Sequence, residues 1–322
     1  MYKVLLSFIV GVLLFSFIIG QCTDSEIDYN EFQEQTNYVE ECPKSKLSSP
    51  SDKELSSNSP QKEYFITVVN PSTEGLEYHP NQSEENNQLL IDPSNSLEIP
   101  RLVSMAPNQV LKRKGYTTSY NSNTKNANWV AWNLTSEHSD GVWSRRGISY
   151  IEDDEVIGPK QELDDWKYHN LPIDHGHMCP AGDNKWDKDA MVQSFLLTNM
   201  CPQNSNLNRG EWERLESRCR GWARHYGEIY IVAGPIFYSS DCVTIGHNDV
   251  GVPDAFYKVI LRLGKQPAAL GFIFPNKNPK FRMEHYVMTV DEVEEKTNID
   301  FFFNLPDEIE VKVEAEADLH KW

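Results

Sequence analysis

The sequence predicts an α+β fold, and three observations indicate it. Short apolar or alternating runs, which are typical of strands, recur along the chain. A stretch with helical spacing lies between these runs and not in a separate region. The connection at residues 264–267 is a short turn signal, and short connections favour antiparallel pairing of strands. Roughly 220 residues are involved, a length that suits one domain.

Each predicted strand or short helix follows from its own local pattern. Residues 128–134 alternate apolar and polar side chains, as strands do. Residues 173–177 are expected to be a strand end that delivers His177 to a loop. Residues 189–197 predict a short helix with buried apolar positions. Buried strands are then predicted at residues 229–234, 256–263 and 268–274.

The strongest helix signal begins at Arg209. Apolar side chains recur there at helical spacing, at Trp212, Leu215, Cys219, Trp222, Ala223 and Tyr226. Gly227 follows as a stop signal. The sequence therefore predicts one amphipathic helix between two strand regions.

Residues 1–21 have the pattern of an export signal. Lys3 precedes an apolar run at residues 4–19, which is shorter than the roughly 20 residues that a spanning helix needs. An uncleaved anchor is the alternative. Cys22 stands in a sequence close to a bacterial lipoprotein cleavage box, although Gln21 is unusual there. We therefore expect an exported protein that is secreted, periplasmic or lipid-anchored at the cell envelope through Cys22.

Residues 22–101 predict an acidic, low-complexity tether or pro-segment. They are rich in Ser, Asn, Gln, Glu and Pro, and their few apolar residues lack periodic order. Such a composition cannot bury enough surface to offset the entropy of ordering. Residues 64–69 could form an isolated strand, but one strand makes no domain. The folded domain is therefore expected at residues 102–322.

The charge balance argues against tight binding of nucleic acid by bulk electrostatics. Beyond residue 100 the chain has 32 acidic and 25 basic side chains, a formal net charge of −7. Proteins that hold nucleic acid through their overall field are usually basic. Catalysis is still compatible with this charge, because a divalent cation and a few arginines can grip one phosphate. Acidic residues also collect at residues 308–318, where we expect them to lie away from the site.

Six cysteines in an exported chain permit disulfides. With Cys22 set aside as a lipid site, five remain, so at least one thiol is unpaired or pairs in an unexpected way. Cys179 and Cys201 both flank the functional segments and are a plausible pair. The other pairings stay open.

The most informative stretch is Asp-His-Gly-His-Met-Cys-Pro-Ala-Gly at residues 174–182. It offers His177 in a strand-and-turn setting, in which Gly176 lets the backbone bend and a proline ends the run. Farther along the chain, Asn208 and Glu216 offer an amide and a carboxylate on one helix. These are the oxygen donors that a hydrated hard cation needs. A general base beside such a metal site is an arrangement that cleaves phosphodiesters.

These segments resemble the DNA/RNA non-specific endonucleases of the ββα-metal type, which include secreted bacterial sugar-nonspecific nucleases and mitochondrial endonuclease G. The family pattern is Asp-Arg-Gly-His, then Asn, then a Leu-Asn-x-x-x-Trp-x-x-Leu-Glu helix. Between about Leu102 and Trp322 the chain matches in order at Asp174, Gly176, His177, Ala181, Gly182, Asn184, Trp186, Asn199, Pro202, Gln203, Leu207, Asn208, Trp212, Leu215 and Glu216. The resemblance implies a ββα-metal nuclease fold, with a central antiparallel sheet and flanking helices.

The resemblance also implies roles at the metal. His177 would be the general base, its ring oriented by Asp174 or by a backbone carbonyl. Asn208 would bind the metal through its side-chain oxygen, and an asparagine there also suits a helix cap. Glu216 would complete the metal site by accepting hydrogen bonds from metal-bound water.

Three further side chains are expected at the phosphate. Arg220, one turn after Glu216, would pair with that glutamate or reach a phosphate. Arg146 is assigned to the place where the family carries a phosphate-binding arginine, and Arg145 is the alternative. The family arginine of the first motif is replaced by His175, which titrates near neutral pH and would give a pH-dependent grip.

Two amides and one tryptophan are expected to support the site. Asn199 and Gln203 would hold the loop before Asn208 by side-chain hydrogen bonds. Trp212 is expected to pack in the core and not to stack on a base.

We therefore predict a metal-dependent endonuclease that hydrolyses phosphodiester bonds of DNA and/or RNA without strong sequence specificity. Its cofactor would be Mg²⁺ or Mn²⁺. Three alternatives remain at this point. One is a phosphodiesterase that acts on another substrate by the same mechanism. A second is a zinc-binding or structural module built on His175, His177, Cys179 and Cys201. A third is a weakened nuclease fold that only binds nucleic acid.

Overall fold

The computed structural model describes residues 96–322, which lie in one compact unit. The predicted export signal, Cys22 and the isolated strand at residues 64–69 lie outside the described residues. Almost all of the predicted tether lies outside them too. Within residues 96–322, no helix combines the length and apolar character needed to cross a membrane.

Short and long strands alternate with helices along the described chain. The strands are β1 (Arg101–Leu102), β2 (Gln109–Lys112), β3 (Thr117–Asn121), β4 (Asn126–Thr135), β5 (Ile173–His177), β6 (Met200–Asn204), β7 (Glu228–Ile236), β8 (Thr244–Ile245), β9 (Val250–Gly251), β10 (Ala255–Arg262), β11 (Ala268–Pro275), β12 (Val287–Met288) and β13 (Ile299–Asp300). The helices are α1 (Lys188–Gln193), α2 (Ser205–Leu207), α3 (Glu213–Tyr226), α4 (Val290–Thr297) and α5 (Asp307–Glu314). Single 3₁₀ turns occupy Leu163–Trp166, Ala181–Asp183, Leu197–Asn199, Met283–Tyr286 and Leu319–Lys321, and a π turn occupies Asn208–Trp212.

The centre of the structure is a seven-stranded antiparallel sheet in the order β12-β11-β10-β7-β4-β3-β2. Its middle strands are buried on both faces, which explains why β7, β10 and β11 are continuous apolar runs in the sequence. The strands predicted around residues 128–134, 229–234, 256–263 and 268–274 are all confirmed, as is the antiparallel sheet. Gly264 takes a φ of +103° in the predicted turn, a conformation that glycine adopts without strain.

The helices begin and end where local hydrogen bonds dictate. The Asp187 side chain caps α1 by accepting from the amides of Asp189 and Ala190. The helix ends at Gln193, whereas the sequence predicted an end at residue 197. The Asn199 side chain then donates to the Ser194 carbonyl. The predicted stop after α3 is confirmed, because Gly227 takes a φ of +92°.

Two apolar clusters lie on the two faces of the sheet. One face packs against α3 through Leu215, Cys219 and Trp222. The other face packs against α4 and α5, through residues that include Val293 and Val313. The molecule therefore has three layers, with the sheet in the middle, and α3 lies on the opposite face from α4 and α5.

The N-terminal boundary of the domain lies before residue 102. Leu97 is buried in the cluster that contains α4 and α5. Arg101 pairs with Asp300 in the two-stranded sheet of β1 and β13. The predicted boundary therefore cuts into the packed structure, because one short strand before it was not visible in the sequence pattern.

The proposed disulfide between Cys179 and Cys201 is not formed. Both thiols are buried, and within residues 96–322 neither they nor Cys219 and Cys242 form a disulfide. The Asn184 amide lies 3.3 Å from the Cys179 sulfur as a donor. The expectation was wrong because both cysteines pack as apolar side chains in the cluster beneath α3.

Candidate active site

A cleft of about 560 Å³ opens between the β5–β6 hairpin, the turn that follows β5, and α3. The structure brings five of the predicted site residues to its wall, namely His175, His177, Asn208, Glu216 and Arg220. Arg146 is exposed and does not line the cleft, whereas Arg145 does. Charges of both signs therefore meet in one concave site.

The pairing of β5 with β6 fixes the position of His177 relative to the π turn that carries Asn208. β5 and β6 pair antiparallel, with His177 opposite Met200 and Asp174 opposite Gln203. Gly176 is required by close approach rather than by a bend, because a Cβ there would lie 2.5 Å from the Cβ of Gln203. From β6 the chain runs through α2 and the π turn into α3, giving the order strand, strand, helix.

The π turn at Asn208–Trp212 is a wide helical turn that leads directly into α3. Gly210 has φ and ψ of −113° and −108°, outside the helical region. Such wide turns occur frequently at functional sites. Trp212 is 1% exposed, which confirms its core role, and its ring N–H donates to the His177 carbonyl at 3.3 Å. The turn and the end of β5 are thus held together.

The His177 ring has a free nitrogen within the cleft wall. Its Nε2 has no hydrogen-bond partner among the described residues. Phe195 packs edge-on against the ring at 5.1 Å between centroids. Burial, with smaller effects of Arg145 and His175, lowers the pKa of His177 to about 3. The imidazole is therefore neutral at neutral pH and can accept a proton.

Asp174 does not orient the His177 ring. This role for Asp174 was one of the two alternatives that the sequence left open. Its carboxylate accepts from Asn208 Nδ2 at 3.0 Å, from Ser205 Oγ at 2.9 Å and from two Arg209 nitrogens at 2.8 Å. Partial burial acts to raise the pKa of Asp174, but these donors hold it below its ordinary value. Asp174 therefore stays ionised and fixes the amide of Asn208.

Asn208 and Glu216 suit a hard cation. The Asn208 Nδ2 is engaged by Asp174, so the amide oxygen is the group left free for a metal. Within residues 96–322 the Glu216 carboxylate forms no ion pair, although Arg220 is one turn away. Burial, opposed by Lys258 and reinforced by Asp183, raises the pKa of Glu216 to about 7. Two side chains with oxygen donors that lack partners among the described residues thus line one cleft, and few such donors suffice for a mostly hydrated Mg²⁺.

Arg220 is not bound to Glu216, which was one of its two predicted partners. Its NH1 donates to Asp183 Oδ1 at 3.0 Å and its NH2 to Ser217 Oγ at 3.0 Å. Asp183 is 1% exposed in its side chain and also accepts from the Trp132 ring N–H at 3.1 Å. The partner of Arg220 is therefore Asp183 rather than Glu216, because Asp183 is the buried carboxylate that needs a counter-ion.

A buried lysine beneath the cleft was missed by sequence reasoning. Lys258 on β10 is fully buried, and its Nζ has no hydrogen-bond partner among the residues that the structure describes. It lies 4.2 Å from the ring centroid of Trp212, a cation–π geometry, and acts on the charges of Asp183 and Glu216. Its one sequence signal is a cation inside the apolar strand at residues 256–263.

His175 is a stacked ring and not a charged phosphate ligand. It lies between Tyr150 and Trp166, with centroid distances of 3.9 and 3.8 Å and nearly parallel planes. Burial lowers its pKa to about 4, so it is neutral at neutral pH. This setting argues against the expected pH-dependent grip, because the two aromatic neighbours withdraw part of this imidazole from water. Nothing in the sequence had singled out either neighbour.

Among the arginines of the cleft, Arg145 is the one without an ion pair inside the described region. Arg209 is paired with Asp174 and Arg220 with Asp183. Arg145 lies 5.6 Å from the Phe195 ring centroid and affects the pKa of His177. The assignment of Arg146 is corrected to Arg145, since only the side chain of Arg145 lines the cleft.

The predicted supporting amides behave in two ways. Asn199 accepts from the Cys179 amide at 2.9 Å and donates to the Cys179 carbonyl at 2.8 Å, so it holds the turn after His177. Gln203 is fully buried, but neither atom of its side-chain amide has a partner within residues 96–322. The expectation that they hold the loop before Asn208 is therefore wrong for both: Asn199 forms its hydrogen bonds at the turn after His177 and at Ser194, and Gln203 forms none among the described residues.

The zinc alternative does not fit this geometry. In the part of the chain that the structure describes, His175, His177, Cys179 and Cys201 do not form a metal-sized cluster. His175 is stacked between aromatic rings, and Cys179 and Cys201 are buried among apolar side chains. The potential ligands therefore point to different surroundings.

Comparison with known proteins adds three findings. Residues 95–308 match the family model described as DNA/RNA non-specific endonuclease. Nuclease C1 of Cunninghamella echinulata var. echinulata is 34% identical over 212 residues, which are 61% of this chain and 83% of the relative. Mitochondrial endonuclease G of Bos taurus is 28% identical over 210 residues, which are 61% of this chain and 70% of the relative.

A structural neighbour agrees with the fold. The crystal structure of the EndoG/EndoGI complex matches with a TM-score of 0.59 and 24% sequence identity. The match covers 63% of this chain and 89% of that chain. The likeness supports the ββα-metal architecture. Here the two strands and the helix of that architecture are β5, β6 and α3.

Proposed function

Because the chain belongs to the DNA/RNA non-specific endonuclease family and is a nuclease that hydrolyses phosphodiester bonds, we propose that it cuts DNA and RNA internally with a divalent metal ion. His177 is the general base, and Asn208 and Glu216 hold the ion, Mg²⁺ or Mn²⁺. The product carries a 5′-phosphate. This refines the sequence hypothesis by replacing Arg146 with Arg145 and by removing charged His175 from the phosphate site.

One observation carries the proposal. His177, whose Nε2 has no hydrogen-bond partner among the described residues, lines the same cleft as Asn208 and Glu216. A base must be neutral and within reach of its proton, and His177 meets the first condition through its lowered pKa. An approaching anionic phosphate favours the protonated imidazole, so the ring becomes more basic as the substrate binds.

The remaining side chains position the substrate and the ligands. Asp174 fixes the Asn208 amide, and Arg145 offers a guanidinium to one phosphate oxygen. A bound divalent ion would supply Lewis-acid polarisation of the phosphate and charge neutralisation. Contacts to phosphate carry no sequence information, which supports cleavage without strong sequence preference.

Export and attachment are separate proposals that rest on the sequence. Residues 1–21 are proposed to direct export, and Cys22 is proposed as a lipid site or as the start of a secreted chain. The direct check is mass spectrometry of the mature protein from the envelope and from the medium. A mature N-terminus still at Met1 would contradict a cleaved signal.

The nuclease proposal is tested with the purified protein, supercoiled plasmid DNA and a structured RNA. Nicked and then linear plasmid should appear with Mg²⁺ or Mn²⁺ and should stop in excess chelator. The ends should be substrates for ligase without kinase treatment, as 5′-phosphates are. Equal cleavage in chelator would contradict the metal, and release of only mononucleotides from linear DNA would contradict internal cutting.

A further inference from the structure

A group of acidic side chains lies on the face of the sheet opposite the cleft. It belongs to α4 and α5, which pack on the sheet through Val290, Val293 and Val313. Asp291, Glu294 and Glu314 each offer one carboxylate oxygen, and these oxygens all lie within 4.8 Å of one another. Three carboxylates from two helices thus converge on one point.

The carboxylate of Glu314 is buried without compensation. Glu314 is 5% exposed, and its Oε1 has no hydrogen-bond partner in the part of the chain that the structure describes. A buried, unpaired carboxylate is costly unless it is protonated or binds a cation. Glu314 therefore lies beside two carboxylates of the same charge and not beside a counter-ion.

The surrounding charges do not relieve this repulsion. Glu294 Oε1 accepts from the Phe301 amide at 2.7 Å, which occupies one of its two oxygens. Asp300 lies nearby but is bridged by Arg101. Within residues 96–322 none of the three clustered carboxylates forms an ion pair with a lysine or arginine. Burial, then the neighbouring carboxylates, raises the pKa of Glu314 to about 9 and that of Glu294 to about 7.

We propose that Asp291, Glu294 and Glu314 bind one calcium ion, which joins α4 to α5. Calcium takes hard oxygen ligands at 2.3–2.6 Å, so two of its ligands lie at most about 5 Å apart. The observed spacing fits this limit. Magnesium usually uses only one or two carboxylates and keeps its waters, whereas three carboxylates are typical of calcium. Zinc would prefer nitrogen or sulfur.

The calcium site does not depend on the proposed nuclease mechanism. The cleft and the acidic group lie on different faces of the sheet and share no residue. Binding would stabilise the C-terminal helices, because an ion that binds only the folded state adds to its stability by mass action. The acidic residues of this region thereby gain a function separate from that of the cleft.

The test is calorimetric titration of the full chain with CaCl₂ alone, combined with thermal unfolding. Glu314→Gln keeps the shape and removes the charge, and Glu308→Gln removes the same charge at an exposed position of α5. Calcium should bind the wild type and Glu308→Gln alike and raise their melting temperatures. Glu314→Gln should bind at least tenfold more weakly and lose the rise.

Two further variants separate other sources of calcium binding. Asn208→Ala removes the proposed cleft ligand, and it should retain the Glu314-dependent rise. Asp291→Asn is exposed on α4 and serves if Glu314→Gln does not fold; it should also weaken binding. Identical calcium isotherms for the wild type, Glu314→Gln and Asp291→Asn would overturn the site. A wild type that binds calcium in this way but shows no nuclease activity would instead count against the cleft mechanism alone.

Discussion

His177 and Asn208 work as a pair because each is held by a different neighbour. Phe195 packs against the imidazole, while Asp174 binds the amide nitrogen of Asn208. The imidazole that we propose as the base is thereby kept neutral, and the amide oxygen is left free for the proposed metal. The acidic charge of the whole domain matters less at this scale, because the wall of the cleft carries its own arginines.

The adjacent arginines offer a direct test of which one meets the substrate. Arg145→Ala should raise KM roughly tenfold to a hundredfold, since a hydrogen bond to a charged group contributes about 1.5–3 kcal/mol. Arg146→Ala should leave KM unchanged, because that side chain lies outside the cleft. Steady-state cleavage of a short duplex measures both. A larger effect at Arg146 would reverse our correction.

His175 should make the fold sensitive to acid. Its pKa is lowered from 6.5 to about 4, so the unfolded chain binds more protons between these values. This contribution to stability is therefore present at neutral pH and is lost as pH falls from about 6.5 to about 4. His175→Phe can stack between the same rings without titrating. It should reduce the acid-induced loss by an upper limit of roughly 3 kcal/mol.

The free energy of unfolding in urea at pH 7 and at pH 4.5 gives the comparison. His225→Phe, at an exposed position on α3, is the matched control and should keep the wild-type difference. His177 stays in all variants and adds a similar loss, so only the difference between variants is informative. An unchanged acid-induced loss in His175→Phe would refute the burial argument.

The hairpin and α3 are joined below the cleft by a buried ion pair. Asp183 is the last residue of the turn at Ala181–Asp183, and Arg220 reaches it from α3. A Cβ at Gly182 would lie 2.9 Å from the Arg220 NH1, so the turn passes close under the guanidinium. The position of the turn relative to the helix therefore depends on this pair.

Asp183→Ala should destabilise the protein by about 3–5 kcal/mol, because it leaves a largely buried arginine without its partner. It should also lower kcat, since α3 carries Glu216. Asp189→Ala, an exposed change at the start of α1, should cost little. Chemical denaturation and cleavage rates measured on both variants decide the matter. A loss below 1 kcal/mol would show that the pair is dispensable.

Sequence reasoning reached some elements and not others for physical reasons. β4, β7, β10 and β11 were predictable because long buried strands leave continuous or alternating apolar runs. β6 was not, since its sequence Met-Cys-Pro-Gln-Asn mixes proline with amides at a hairpin edge. His177, Asn208 and Glu216 were found by motif, whereas the partners of His175 and Arg220 depend on tertiary contacts.

At the scale of the whole molecule, the two faces of the sheet carry two different candidate sites. The face with α3 carries the cleft, and the face with α4 and α5 carries the acidic group. The start of the domain belongs to the second face, where Leu97 and β1 pack. The family match from residue 95 agrees with this placement.

A chain of residues 96–322 should therefore unfold cooperatively and cut nucleic acid. A chain of residues 103–322 lacks Leu97 and β1, and loss of one buried leucine alone costs roughly 2–5 kcal/mol. It should be less stable by at least that amount, although its cleft is complete. Urea unfolding of the two chains tests the boundary. Equal stability would show that residues 96–102 contribute nothing to the core.

The most direct test of the account is chemical rescue of the base. His177→Ala should fold and cut DNA on the order of a hundredfold to ten-thousandfold more slowly in Mg²⁺. Added imidazole should restore part of the rate in that variant, because the removed ring leaves a space beside Phe195. Asn208→Ala should not respond to imidazole. Single-turnover cleavage at wild-type speed by folded His177→Ala would contradict the central claim that His177 is the base.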